Sequence, residues 1–323
     1  MHDLIVIGGG ASGLAAAAYA LDKHLDVLVV YESLGGKYSQ QFSVRAEENI
    51  LVGHILVHLE LPGERAAPRL GQGTIYQLQQ QVTSGAATAL RGRVTAVRRV
   101  GAALEVHTDQ YGVQRARAVI VASGVSPRPL AVVGAQQYVN HGLGYSATTH
   151  ARLLEGKTAA VVGSTTRALR GAAELAQGAA QVFLVEPGAL PEGEPLAARL
   201  RALPNVEVLE GYAVTGITGA DAVESVIVQQ GDRVRRLSVD AVFVDLGLTP
   251  NSAAVRGLAA VDEEGFIRVD ARNATSAPGV FAAGDVTTTY GEHALIAMGE
   301  GIRAAMSAHD YLLALPVVRE HGA

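Results

Sequence analysis

The chain has 323 residues, room for two domains with substantial cores, and a net charge of −5 with no basic run, which argues against nucleic acid or an anionic membrane as partner. It contains no cysteine, which excludes a disulfide framework, a thiolate metal site and thiol chemistry by this chain. Thirty-seven glycines, no tryptophan and five phenylalanines point to an α/β protein with many tight strand-to-helix turns.

Residues 1–32 contain one complete ligand-binding unit. Leu4-Ile5-Val6-Ile7 is an apolar run short enough for a buried parallel strand, and it meets Gly8-Gly9-Gly10-Ala11-Ser12-Gly13 where that strand should end. In this GxGxxG turn Gly8 allows the tight bend, Gly10 lets backbone approach a pyrophosphate, and Gly13 lets a helix over Leu14 to Leu21 pack close to the strand. Phosphates then sit at a helix N-terminus, where N–H groups and the dipole favour negative charge. A second strand, Val27 to Tyr31, ends in Glu32, 32 − 13 = 19 residues past the last glycine, the distance at which a carboxylate accepts from a ribose. Residues 4–21 carry no charge and Ala18-Tyr19-Ala20 mimics a cleavage site, but Met1-His2-Asp3 is not positive and the glycines keep phosphate-cradle spacing. A cytoplasmic protein is therefore expected.

Leu34-Gly35-Gly36-Lys37 follows the acid, and its paired glycines either let backbone come close to a flat ring or simply form a loop. Glu47-Glu48-Asn49 precedes an apolar segment with His54 and His58 four apart, but no third ligand accompanies them and no metal is expected. Leu61-Pro62-Gly63 breaks that segment. Thr74 to Thr83 reads as a helix, and Val94 to Val100 and Leu104 to Thr108 alternate around Gly101 as a hairpin would. Ala118 to Gly124 is another buried strand, with Ala122-Ser123-Gly124 at its end, and Ser126-Pro127-Arg128-Pro129 marks a domain boundary.

The opening pattern then returns. Thr158 to Val162 is a strand, Gly163-Ser164-Thr165-Thr166-Arg167-Ala168 a turn, Leu169 to Gln177 a helix, and Val182 to Glu186 a strand with a terminal acid, 186 − 163 = 23 residues past the first glycine against 32 − 8 = 24 in the first copy. The spacing predicts two Rossmann-like (three-layer ββα) dinucleotide-binding domains in an α/β chain, the second inserted into the first: 1–125 plus 247–323, and 126–246. Thr165 stands where the middle glycine should be, with a β-carbon where backbone must approach pyrophosphate. Glu186 accepts from a 2′-hydroxyl and repels a 2′-phosphate, so any nicotinamide used should be NADH rather than NADPH. Equally, this copy keeps a fold whose ligand is lost. Residues 206–245 read as short strands closing on Val239 to Leu246, Gly247 to Asn251 is the second crossover, Val280 to Asp285 is a strand ending in Gly284-Asp285, and a helix runs over about 294–315.

This arrangement resembles the low-molecular-weight thioredoxin reductase family of FAD flavoproteins across nearly the whole chain. The resemblance rests on Gly8 to Gly13 with Glu32, Gly35-Gly36, Glu48-Asn49 with Gly53, Gly142 to His150, Gly247 to Asn251 and Thr275 to Asp285. It implies that the first fingerprint (Gly8, Gly10, Ala11, Ser12, Gly13, Tyr31, Glu32) holds the ADP half of FAD and that Asp285 holds the ribityl chain. It places His293 and Ala294 near the flavin pyrimidine, adds Gly35, Gly36, Lys37, Asn49, Ala122, Ser123, Gly124 and Gly284 to the cofactor set, and implies a homodimer. Where the family carries Cys-Ala-Thr-Cys-Asp, this chain reads Ser146-Ala147-Thr148-Thr149-His150, so dithiol–disulfide exchange is excluded. Glu186-Pro187-Gly188 replaces the basic NADPH motif, leaving Gly163, Thr165, Thr166 and Glu186 as a doubtful second nucleotide site. Lys37 stands where a glutamine is usual. The stretch from Tyr290 to Gly301 looks more like the cysteine-free ferredoxin–NADP reductases of thioredoxin-reductase type.

The expectation is an FAD oxidoreductase with no cysteine relay, with His150 as a candidate proton-exchanging group or a surface residue. Three activities compete: NADH reduces the flavin and a ferredoxin-like or small-molecule acceptor takes the electrons; the nicotinamide site is dead and a protein or substrate donor reduces the flavin; or the protein is a flavin-binding sensor without turnover.

Overall fold

The computed structural model describes residues 1–39, 42–44 and 70–316. Asn49, His54 and His58 lie outside the described residues. Within them the chain divides into two compact units, one made of 1–39, 70–126 and 249–316, the other of 42–44 and 127–248. Residues 42–44 group with the second unit because the Gly142 N–H donates to the Ser43 carbonyl at 2.8 Å and the Ser43 N–H to that of Asn140 at 2.9 Å.

The first unit opens with β1 (His2–Ile7), α1 (Ala11–Asp22) and β2 (Val27–Tyr31), followed by α2 (Leu70–Gln81). A short parallel strand β3 (Thr88–Arg91) leads into β4 (Val94–Val100), β5 (Ala103–Thr108) and the long β6 (Val113–Val121). The strand order is β3-β2-β1-β6-β5-β4. β6 changes its pairing along its length: Val113 to Ala116 pair antiparallel with β5, and Ala116 to Val121 pair parallel with β1. Its first half carries Gln114, Arg115 and Arg117, which is why periodicity shows only the apolar half. Alternation explains the layers. Leu4, Val6, Val27 and Val29 pack with the helices, while Ile5, Ile7, Leu28 and Val30 pack with Val97, Leu104 and Val106 of the antiparallel strands.

The chain leaves through β7 (Val125–Pro127) and builds the second unit from β8 (Leu143–Gly144), α3 (Ala147–His150), β9 (Thr158–Val162), α4 (Thr166–Leu175), β10 (Gln181–Glu186), α5 (Pro195–Ala202) and β11 (Val206–Glu210). An antiparallel sheet of β12 (Ala213–Gly219), β13 (Val223–Gln230) and β14 (Arg233–Ser238) precedes β15 (Ala241–Val244). The parallel sheet runs β11-β10-β9-β15-β8. Its two faces again sort by alternation, Ala159, Val161 and Phe243 toward α4 and α5, Ala160, Val162 and Val242 toward β12–β14. The return strand β16 (Leu248–Pro250) pairs with β7, and β17 (Val280–Ala282) and α6 (Ala294–Ala314) complete the first unit.

Both units are α/β with Rossmann-like parallel sheets, as the repeated pattern predicts. Both fingerprint helices begin three residues earlier than their apolar periodicity suggests, at Ala11 rather than Leu14 and at Thr166 rather than Leu169. The first turn of each follows directly on the glycine turn and lacks the apolar stripe, reading Ala11-Ser12-Gly13 in α1 and Thr166-Arg167-Ala168 in α4. Helix α5 and strand β3 have no counterpart in the sequence reading, being too short to show a period.

Candidate functional site

In the first unit the glycines sort by what a side chain would meet. A β-carbon on Gly8, which has φ +116°, would lie 2.2 Å from the Ala122 carbonyl oxygen, and one on Gly13 would lie 2.0 Å from that of Gly8. Gly8 and Gly13 therefore hold strand, turn and helix in contact. At Gly10 a β-carbon would meet no protein atom within 4 Å. Gly10 is also the N-cap of α1; it supplies no side-chain cap, and the first turn of the helix holds no acidic residue. The Ser12 hydroxyl in that turn is buried and has no hydrogen-bond partner among the described residues. An uncapped helix start, a backbone with open approach and an orphaned buried hydroxyl are what an incoming phosphate would satisfy.

Around this turn, Gly35 and Gly36 adopt φ of +84° and +55°, and the Gly35 N–H donates to the Gly9 carbonyl at 2.7 Å. A β-carbon on Gly36 would stand 3.1 Å from Gly10 Cα. The pair backs directly onto the Gly8–Gly13 turn, and the left-handed backbone is why both are glycine. Lys37 Nζ lies 2.5 Å from Asp285 Oδ2 and 3.9 Å from Glu292 Oε2. Two expected cofactor contacts thus meet each other, with a cation beside the carboxylate that the resemblance assigns to the ribityl chain. Glu32 is exposed, and Arg93 donates Nε to Oε1 at 3.1 Å and Nη2 to Oε2 at 2.9 Å. A carboxylate accepts about four hydrogen bonds, so this fork leaves room for a ribose hydroxyl. Tyr31 and Ala122 bracket the loop, each close to a fingerprint glycine. The Ser123 hydroxyl donates to the Asn251 carbonyl at 2.7 Å, and the Asn251 N–H donates to the carbonyl of Gly124, itself at φ +65°.

The Gly284-Asp285 turn is held from α6. Glu300 is 2 % exposed; its Oε2 accepts the Gly284 N–H at 2.7 Å while Oε1 has no partner among the described residues. Gly284, at φ +78°, leaves space for a β-carbon only 3.0 Å from Ser12 Cβ, and one on Gly301 would fall 2.1 Å from the Ser12 carbonyl. Glu300 and Gly301 escape sequence reasoning as site residues. Their signal is Gly299-Glu300-Gly301 in the interior of a 21-residue helix, where each glycine costs about 1 kcal/mol relative to alanine and needs a packing reason. At the other end of that reach, His293 Nδ1 accepts the Leu295 N–H at 3.2 Å and caps α6, with Ala294 buried beside it.

In the second unit the corresponding turn is differently filled. Gly163 keeps the tight bend, with φ +121° and a β-carbon position 2.2 Å from the Asp245 carbonyl oxygen. Thr165 Oγ1 accepts the Ala168 N–H at 3.0 Å and donates to Asp245 Oδ1 at 3.0 Å, and Arg167 Nε lies 2.8 Å from Asp245 Oδ2. Thr166 is the first residue of α4. Glu186 Oε1 accepts the Gly188 N–H at 3.0 Å.

The Ser146 and Thr149 hydroxyl oxygens stand 2.8 Å apart. His150 is half-buried, its ring 4.3 Å from that of Phe42 and 5.9 Å from that of Phe243. Its Nδ1 sits 2.8 Å from the Ser146 carbonyl, so that nitrogen carries the proton of the neutral ring, and burial holds the imidazole pKa below its ordinary value.

The sequence profile of the pyridine nucleotide-disulphide oxidoreductases matches residues 2–301. The chain belongs to that family. Curated relatives of this oxidoreductase include the F component of the alkyl hydroperoxide reductase of Pseudomonas aeruginosa, 31 % identical over 96 % of the chain and 58 % of that protein. Its namesake from Xanthomonas campestris pv. phaseoli is 33 % identical over 96 % of the chain and 57 % of that protein. The chain thus spans under two thirds of the length of these relatives. Among solved structures, thioredoxin reductase from Streptococcus pyogenes superposes with TM-score 0.80 at 26 % identity, covering 98 % of this chain and 99 % of that one. Thioredoxin reductase from Giardia duodenalis gives 0.79 at 24 %, covering 97 % and 99 %, a likeness of fold alone. Family membership makes the protein an FAD-dependent oxidoreductase of thioredoxin-reductase-like fold, here with no cysteine.

Proposed function

We propose that this oxidoreductase passes electrons through FAD to a non-disulfide acceptor with no thiol of its own in the path. The observation that carries the reading is the pair Ser146 and Thr149, whose hydroxyls touch at 2.8 Å where the family resemblance places two sulfurs. A hydroxyl can neither form a disulfide nor act as a thiolate nucleophile near neutral pH. When bound, the flavin supplies the redox chemistry. The chain's residues supply position: Gly10 and the α1 start receive phosphate, with Ser12 as a further donor; Glu32 takes a ribose hydroxyl; and Asp285, fixed through the Gly284 amide by Glu300, takes the polyol. Lys37 adds positive charge beside Asp285, and the N-terminal end of α6 aims its dipole from Ala294.

The acceptor is a ferredoxin-like protein or a small molecule, and an alkyl hydroperoxide, named in the curated relatives, belongs among those to be tested. The protein is taken as a cytoplasmic homodimer. Among the described residues no helix is long and apolar enough to cross a membrane. Leu295, Ile302, Met306 and Leu313 form an exposed apolar stripe on one side of α6, suited to a second copy.

The test is anaerobic. Purified protein should be yellow, its flavin should bleach with a competent donor and recover with an acceptor, and neither a small disulfide nor thioredoxin should restore the colour catalytically. Sustained disulfide turnover by the purified chain would sink the proposal.

A further inference from the structure

We infer that the second unit does not bind a pyridine nucleotide at its Gly163 turn, because the side chain of Asp245 already holds the start of α4 where the phosphates would lie. The consequence for electron supply rests on the flavin reading above, but the binding claim stands on the second unit alone.

The two fingerprint turns differ in three respects. In the first, the residue at the middle glycine position is Gly10, which offers no side chain and no steric neighbour within 4 Å. In the second it is Thr165, whose hydroxyl takes the Ala168 N–H at 3.0 Å, so one of the helix donors that a phosphate would use is satisfied internally. In the first turn the buried Ser12 hydroxyl has no partner among the described residues; in the second the Thr165 hydroxyl is already engaged with Asp245 Oδ1 at 3.0 Å. Finally, a carboxylate occupies the second cradle. Asp245 is 5 % exposed, follows directly on β15, and is fixed by Thr165 on one oxygen and by Arg167 Nε, 2.8 Å away, on the other. A pyrophosphate brought to this helix start would face a like charge at close range, and displacing Asp245 would strand a buried carboxylate without its partners.

The fold of the turn is kept for a separate reason. Gly163 must remain glycine to clear the Asp245 carbonyl, and α4 must begin there for the sheet to be covered. A preserved glycine thus reports packing, not ligand. Among the described residues Glu186 accepts only from the Gly188 amide two residues on and, by the same count as Glu32, keeps room for a ribose hydroxyl, so the block lies at the phosphate end of the site. With this turn closed, the reductant of the flavin is one without a nicotinamide.

The experiment titrates NADH and NADPH separately against the purified protein, reading binding by saturation-transfer NMR of the nicotinamide and adenine protons, a signal that does not depend on the flavin. No saturable binding is expected for either up to about 1 mM, the upper end of ordinary substrate constants. The variants Thr165→Gly, Asp245→Ala and the two combined should gain NADH binding, the double variant at least about tenfold, equivalent to 1.4 kcal/mol. Asp245→Asn and Thr165→Gly, with circular dichroism as a folding check, carry the test if Asp245→Ala does not fold. Saturable binding of NADH or NADPH by the wild-type protein overturns the inference. Folded variants that still bind neither overturn the assignment of the block to Asp245 and Thr165. A colourless protein that refuses FAD overturns the flavin proposal and leaves this result standing.

Discussion

Gly10 and Gly13 share one motif and do opposite work. A methyl at Gly10 meets no protein atom but stands where a phosphate would come, so Gly10→Ala should leave the melting temperature within about 2 °C while weakening FAD binding about tenfold or more. A methyl at Gly13 falls 2.0 Å from the Gly8 carbonyl, and overpacking of that kind costs about 1–3 kcal/mol, so Gly13→Ala should lower the melting temperature by about 4 °C or more. Thermal melts of the apoprotein and fluorescence titration with FAD separate the two effects; equal losses of both in each variant would refute the division. His150 offers a pH test. Its folded pKa is lowered by burial, so the unfolded chain binds the proton more readily: the contribution to stability is full above the unfolded value near 6.5 and is lost as pH falls from there toward the folded value. His150→Phe, which keeps the aromatic packing against Phe42 and Phe243, should flatten part of the fall in melting temperature between about pH 7.5 and about pH 5.5. An unchanged pH slope would show that the imidazole does not titrate between Phe42 and Phe243.

At the scale of elements, α6 shows how one helix serves site and scaffold together. Its inner side carries Ala297, Gly301, Ala304, Ala305 and Ala308, small residues that let it lie close against α1. Gly301 stands against the Ser12 carbonyl, whereas Gly299, two residues earlier, is exposed and a β-carbon there meets nothing within 4 Å. Gly299→Ala should therefore stabilise by about 0.4–1 kcal/mol through the unfolded state and helix propensity, and Gly301→Ala should destabilise by about 1–3 kcal/mol. Chemical denaturation of the pair provides the measurement, and the same sign for both would contradict the packing. The strands show which elements periodicity reveals. β1, β2, β9 and β10 are strongly apolar because both faces are covered, and the sequence marks them within a residue or two. β3, α5 and the polar half of β6 carry too little pattern to register, and only their sheet partners, or for α5 the core it covers, account for them.

For the whole molecule, the proposed homodimer sets an expected mass of twice 33.5 kDa in solution. Met306 and Leu313, 48 % and 71 % exposed on the outer side of α6, are the residues to change. The double variant Met306→Lys with Leu313→Lys should run as a monomer by light scattering while keeping its circular dichroism, and a monomeric wild-type protein would dispose of the stripe as an interface. The sequence by itself determined two dinucleotide-binding folds, the glycine and acid positions of the first cradle and the absence of any thiol, because strand periodicity, turn glycines and residue identity are local. Only the tertiary structure decided that Lys37 meets Asp285, that Glu300 fixes Gly284, that His150 lies against Phe42 and Phe243, and that Asp245 bonds Thr165 and Arg167. Each of those depends on residues 16 to 248 positions apart, whose meeting is set by how the sheets are wound and which no local spacing records.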